Sequence, residues 1–264
     1  MYEIGFIGCG RMAQVLIRGL IDKNVFSAPQ IAASNRSADK LHLFAQKTGI
    51  VALPGNREVV DSSRVIVLGV KPTQMGALLE EIKPGLSPGH LLISIATGVS
   101  LARLSAFCPA AVRVMPNTPA LVGAGASAFA VSEGVTAEQI EFVKGVFSSV
   151  GLIEPVEESL MDLVTGLSGS GPAYVYRIIE SMTETAVKMG MDPSLALRLA
   201  TQTVKGAALM VEQTGQSPAL LREQVTSPGG TTLEGLKALE EGKIGEVIAS
   251  AIRAAEQKSR LLGQ

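Results

Sequence analysis

The 264-residue chain carries 23 basic and 24 acidic residues, a formal net charge of −1, with no block of either sign. Neutralising a phosphate backbone needs clustered Lys and Arg, so the charge pattern argues against nucleic-acid binding. Hydrophobic residues make up 47% and charged residues 18%, below the usual ~25% charged, which suits a chain that buries part of its surface in an oligomer. The two cysteines, Cys9 and Cys108, form no CxxC and no Cys/His cluster accompanies them. They read as free thiols in a reducing compartment, and no metal is expected. The N-terminus lacks a basic leader and a clear cleavage site, and no run of ~18 uninterrupted apolar residues occurs. The expectation is a cytoplasmic protein without a membrane partner.

The first half alternates short apolar runs with helix-length segments. The runs lie at residues 3–8, 31–34, 65–70, 91–96 and 112–115, with weaker strand candidates at 127–131 and 152–156. Segments 11–23, 38–47, 73–82 and 137–148 predict helices. Strands alternating with helices make βαβ units and a parallel sheet. Beyond about residue 160 the period changes. Val175, Ile178, Ile179, Met182, Ala186 and Met189 recur at helical spacing up to Gly190. Asp192-Pro193 and Ser217-Pro218 each read as an N-cap followed by proline at the first helical position, the first of these helices ending near Glu212 ahead of Gly215. Val247, Ile248, Ala251, Ile252 and Ala255 mark one face of a last helix. The expected fold is α/β, a Rossmann-type, mostly parallel sheet over residues 1–158 followed by an all-helical domain over residues 159–264.

Gly8-Cys9-Gly10-Arg11-Met12-Ala13 fits GxGxxA between a strand and a helix, the context a dinucleotide fingerprint requires. Gly8 permits the turn, Gly10 lets backbone approach a pyrophosphate, and Ala13 lets helix pack on strand. The helix start then offers free N–H groups to phosphate. An NAD enzyme usually places a carboxylate at the end of the second strand. This chain has Ser34-Asn35-Arg36-Ser37 there. Arg36 offers a fork of donors to a 2′-phosphate, with Ser34 and Asn35 beside it. NADPH is therefore expected in preference to NADH, with NADH accepted to some degree; the bland alternative for Arg36 is a solvated surface charge. Val70-Lys71-Pro72 closes the strand at 65–70 on the edge that faces ligands in open α/β sheets. Lys71 either touches the cofactor or is a solvated loop lysine. Asn56, after a Pro54-Gly55 turn, is a further candidate for the ribose.

Three more segments stand out: Met115-Pro116-Asn117-Thr118-Pro119, Ser168-Gly169-Ser170-Gly171-Pro172-Ala173-Tyr174 and Thr226-Ser227-Pro228-Gly229-Gly230-Thr231-Thr232. With FIGCG and VKP, and in this order, they resemble the motif series of the pyrroline-5-carboxylate reductases from end to end. The resemblance implies reduction of the cyclic imine Δ1-pyrroline-5-carboxylate to L-proline with NAD(P)H. It implies a homodimer built by the helical domain, with assembly to decamers. By motif position it assigns Ser227, Gly230, Thr231 and Thr232 to the substrate, Thr232 nearest the ring nitrogen. The residues support this in their own right. A glycine pair ahead of a helix start exposes backbone N–H groups suited to a carboxylate, and Thr231 or Thr232 would be the N-cap of a helix carrying Leu233, Leu236 and Leu239. An ordinary SPGG turn with a capping threonine is the plainer reading.

Only two histidines exist, His42 and His90, and both read as surface residues. A protonated imine already accepts hydride, so no strong acid–base residue is obligatory, and Thr232 is expected to bond the ring nitrogen while solvent supplies the proton. The β-hydroxyacid dehydrogenases combine similar domains but use a lysine early on the helix after the glycine-serine-glycine segment. Here that helix reaches a lysine only at Lys188. A non-catalytic NADP sensor is the remaining reading, one that leaves the second-half motifs without a purpose.

Overall fold

The computed structural model describes residues 1–263. It divides into two compact units, one of residues 1–170 with the described residues from 253 on, the other of residues 171–252.

The first unit is built on eight strands: β1 (Tyr2–Ile7), β2 (Ile31–Ser34), β3 (Val51–Ala52), β4 (Ser63–Leu68), β5 (Leu91–Ser94), β6 (Ala111–Met115), β7 (Gly125–Val131) and β8 (Gly151–Pro155). They lie in the order 3-2-1-4-5-6-7-8. Every pairing is parallel except β6 with β7. The connecting helices are α1 (Arg11–Asp22), α2 (Ala38–Thr48), α3 (Asn56–Ser62), α4 (Pro72–Ile82), α5 (Leu101–Ser105) and α6 (Ala137–Ser148). Strands covered on both faces read as near-continuous apolar runs, as β1, β4 and β5 do. One core cluster lies around Phe6, Leu16, Leu20, Val67 and Phe147, the other around Ile66, Leu68, Met75, Leu79 and Leu92. The chain winds β1-β2-β3 to one side, then crosses to β4-β5-β6 on the other, so the strand order reverses between β1 and β4.

Several short elements escaped the sequence reading, among them the five-residue α5. β3 is two residues long and α3 seven, too short for a period to register. Strand β4 starts earlier than expected and stops at Leu68, so Val70 lies in the following loop. Lys71 is the N-cap of α4, and Pro72 is its first residue. His90 is not a free surface histidine. Its Nδ1 accepts from the Ser87 N–H at 2.9 Å, which leaves the proton on Nε2 to be donated to the Val60 carbonyl at 3.2 Å. His42 is exposed.

The second unit is helical: α8 (Gly171–Lys188), α9 (Pro193–Thr214), α10 (Pro218–Gln224), α11 (Thr231–Glu241) and the N-terminal part of α12 (Ile244–Leu262). The expected caps are present. Asp192 accepts from Leu195 N–H at 2.9 Å and Ser217 from Leu220 N–H at 3.3 Å. No helix is long and apolar enough to cross a membrane among the described residues. This unit has almost no core of its own. Only Ala196 and Ala200 are buried among its described residues, while Val175, Ile178, Met182, Leu197, Met210 and Ile248 are exposed.

The last turns of α12 belong to the first unit. Ser259, 1% exposed, donates to Asp162 Oδ1 at 2.7 Å on α7 (Met161–Val164). Asp162 in turn receives Arg113 of β6 at 2.9 Å, and Arg113 also reaches Glu158 at 3.5 Å. The Arg113 side chain is 7% exposed, so its charge depends on these carboxylates. Asp162→Ala leaves that charge under-compensated. We expect a loss of about 3 kcal/mol, read as a lower urea midpoint, whereas an unchanged midpoint would show the pair to be energetically idle.

Both cysteines are free and buried. Burial pushes the Cys9 thiol up from an ordinary 9.0 to about 12, and raises that of Cys108 too. The thiolate is the reactive form, so native protein at pH 8 is expected to react with a disulfide reagent far more slowly than urea-unfolded protein. A folded-state pKa above the unfolded one stabilises fully below pH 9, and that contribution is lost as pH rises from about 9 through 12. Cys9→Ala should flatten this part of the stability–pH curve.

Candidate active site

At the end of β1 the chain turns through Gly8, whose φ is +87°. A Cβ there would lie 2.8 Å from the Val70 side chain and 2.9 Å from the Gly69 carbonyl carbon. Gly69 is as constrained, since its own Cβ would lie 2.5 Å from the Gly8 carbonyl oxygen. The ends of β1 and β4 therefore approach as closely as backbone allows, and Gly69 N–H bonds Ile7 O at 2.8 Å. Cys9 turns its side chain into the core, 4% exposed, which leaves only its backbone to face a ligand. Ala13 is buried against the sheet as expected.

Gly10 differs from Gly8. Its φ is −77°, which any residue adopts, and a Cβ would meet only Gly69 O at an ordinary 3.8 Å. Nothing in the fold demands glycine here. The space a side chain would fill lies before the start of α1, where Gly10 is the N-cap and no side chain caps the helix. Arg11 is exposed and Met12 half-buried on the first turn. Uncapped N–H groups facing open space at a strand-order reversal fit the pyrophosphate of a dinucleotide.

Strands β2 and β3 end on the same edge. Ser34 is buried, its carbonyl accepting from Gly8 N–H at 3.0 Å and its hydroxyl donating to Asn56 Oδ1 at 2.8 Å. Asn56, first residue of α3, gives its amide N–H to both carboxylate oxygens of Glu81 on α4, at 3.0 and 3.2 Å. Asn35 donates to Ser37 O at 3.2 Å. Arg36 is exposed and has no ion pair among the described residues, and the same holds for Lys71. Gly8, Gly10, Ser34, Asn35, Arg36, Asn56 and Lys71 thus all sit at the carboxyl edge of the strands.

The MPNTP and SGSGPAY segments are joined by Asn117. Its amide donates to Ser168 O at 3.0 Å, and its Oδ1 accepts from Ala126 N–H at 2.9 Å. Thr165–Gly169 forms a π-helical turn, with Ser170 N–H reaching back to Thr165 O at 2.8 Å. Such turns recur at functional sites. The sequence marked these segments as unusual but carried no sign that one asparagine links them.

In the helical unit, Ser227-Pro228-Gly229-Gly230 makes a tight turn closed by Gly230 N–H to Ser227 O at 3.0 Å. Proline at its second position and Gly229 at φ +70° are what a type II turn requires. The N-cap of α11 is Gly230, not Thr231 or Thr232, which occupy its first two positions. The turn carries Gly230 in extended backbone, φ −81° and ψ 164°, and helical geometry begins one residue before the threonine hydroxyls could cap. No side chain caps this helix. Ser227, Thr231 and Thr232 are exposed and Gly230 half-buried. A helix start with open N–H groups and three hydroxyls around it is chemically suited to a small carboxylate. No group of three or more His, Cys, Asp or Glu that would hold a metal occurs among the described residues.

Known proteins resemble the chain over its whole length. Residues 158–262 match the family described as pyrroline-5-carboxylate reductase dimerisation, and residues 3–98 match NADP oxidoreductase, coenzyme F420-dependent. A pyrroline-5-carboxylate reductase of Arabidopsis thaliana is 39% identical over 100% of this chain and 96% of its own length. A solved pyrroline-5-carboxylate reductase from Coxiella burnetii superposes with a TM-score of 0.92 at 39% identity, covering 100% of this chain and 99% of that one. A Plasmodium falciparum pyrroline carboxylate reductase, solved with NADP bound, gives 0.89 at 34% identity over 100% and 98% of the two chains. Full-length similarity at this level, over the fingerprint turn and all three later motifs, places the chain in the pyrroline-5-carboxylate reductase family.

Proposed function

We infer that the protein reduces 1-pyrroline-5-carboxylate to L-proline with NADPH, the last step of proline biosynthesis. The observation that carries this reading is the open start of α1 behind Gly10, at the point where the strand order reverses, in a chain of this family. Bound NADPH would supply the hydride and leave as NADP+. The chain's own part is to bind, orient and neutralise charge. Residues 1–158 form the dinucleotide-binding domain and residues 159–264 the substrate-binding and dimerisation domain.

Gly8, Cys9, Gly10, Arg11 and Met12 hold the pyrophosphate, largely through backbone N–H groups. Ser34, Asn35, Arg36 and Asn56 take the adenosine ribose and its 2′-phosphate, with Arg36 the only cation at the end of β2. Val70, Lys71 and Pro72 line the neighbouring strand end. Ser227, Gly230, Thr231 and Thr232 hold the substrate, its carboxylate at the start of α11. Thr232 bonds the ring nitrogen and is the residue closest to the chemistry. A hydroxyl does not titrate near neutrality, so the proton that ends on nitrogen comes from the protonated imine itself or from solvent. Positioning and charge neutralisation are then the main contributions to rate.

The helical unit's exposed apolar faces favour a homodimer, and dimers assembling to decamers is the larger state we propose. An 82-residue unit (171–252) that buries two alanines has no core to fold around alone. A second copy of the same faces supplies one. The enzyme is placed in the cytoplasm, in keeping with two free cysteines.

Arg36→Ala should lower kcat/KM for NADPH tenfold to about a hundredfold, the worth of a charge-assisted bond, and leave NADH nearly unchanged. An equal fall with both cofactors would remove Arg36 from the 2′-phosphate. Thr232→Ala should lower kcat about tenfold; wild-type kcat and KM would remove Thr232 from the ring nitrogen. Ile178→Glu, on the exposed face of α8, should abolish the dimer in light scattering and reduce helical circular dichroism together, and a well-folded dimer in that variant would place the interface elsewhere.

A further inference from the structure

Glu81 is 25 residues from Asn56 in sequence and belongs to none of the motifs. Yet both of its oxygens lie on the Asn56 amide nitrogen, at 3.0 and 3.2 Å. An ionised carboxylate only accepts hydrogen bonds, so this contact decides which way Asn56 faces. The Asn56 N–H turns to Glu81, and its Oδ1 turns to Ser34, whose single hydroxyl hydrogen is committed to it at 2.8 Å. Neither Ser34 nor the N–H that Asn56 gives to Glu81 can then donate to an incoming phosphate without breaking this chain. A carboxylate charge also sits one amide group away from Ser34. A ribose 2′-hydroxyl meets no such conflict, because it can donate as well as accept.

We propose that Glu81 is a specificity-determining residue that weighs against the 2′-phosphate and opposes Arg36, so that the NADP/NAD preference is the balance of the two. The inference rests on the placement of the adenosine ribose at Ser34 and Asn56. Glu81 is exposed, so its effect is that of a screened charge, a modest factor that salt should diminish.

The test is direct binding of NADP+ and NAD+ by calorimetry to the purified wild-type oligomer and to Glu81→Gln and Arg36→Ala variants, in low and high salt. Glutamine keeps an acceptor for Asn56 and removes the charge. We expect Glu81→Gln to shift the Kd ratio towards NADP+ by about three- to tenfold at low salt, and by less at high salt. If Arg36→Ala loses NADP+ selectively while Glu81→Gln leaves the ratio unchanged, or alters both cofactors equally, the role of Glu81 is overturned and the ribose placement stands. If Arg36→Ala leaves the ratio unchanged, the placement fails and the inference fails with it.

Discussion

The close passage of the β1 and β4 ends is the contact on which the rest of the first unit depends. Two glycines meet there because a Cβ on either would overlap the other strand's backbone. Neighbouring strands can end side by side at that distance while their chains leave in opposite directions, β1 towards β2 and β4 towards β5. The gap that opens above them is where an α/β sheet binds its ligand. Because Gly69 N–H ties to Ile7 and Gly8 N–H ties to Ser34, three strand ends are set relative to each other by backbone alone. The start of α1 is then presented at a position those backbone bonds set, with the Gln14 side-chain amide donating to Cys9 O at 3.1 Å.

The second unit obeys a different constraint. Its helices are amphipathic, and Asp192 and Ser217 cap α9 and α10, but they bury almost nothing within one chain. Local chemistry is enough to start and stop each helix. It is not enough to hold helices together, since most helical stability in proteins comes from a packed apolar face. The same apolar surface that makes the unit incomplete makes association favourable. Meanwhile the end of the chain returns to the first unit, where Ser259, Asp162 and Arg113 form a buried polar cluster linking α12, α7 and β6. Such a cluster tolerates no missing member, which suits a device that fixes the last turns of α12 against α7 and β6.

Much of this was legible in the residues. The long apolar strands and the proline-marked helix starts appear within a few residues of their expected places, because each depends on neighbours in sequence. The segments that failed were short or irregular: β3, α3, α5, α7 and the π-helical turn at Thr165–Gly169. A run of two strand residues has no period, and a π turn differs from an α turn by one carbonyl. Thr231 and Thr232 looked like caps because threonine usually is one, but the SPGG turn starts the helix at Gly230. His90 looked solvent-facing because nothing near it in sequence shows that Val60 lies within reach.

The sequence by itself determined the fold class, the glycine cradle and the absence of a carboxylate at the end of β2, since these follow from residue size, charge and spacing along one chain. Tertiary structure alone decided which groups answer one another across long separations: Ser34 with Asn56 and Glu81, Asn117 with Ser168, Arg113 with Asp162 and Ser259. The physical reason is that a hydrogen bond needs two atoms about 3 Å apart, and for residues 20 to 100 positions apart that distance is set by how the sheet and helices pack, not by anything written beside them in the chain.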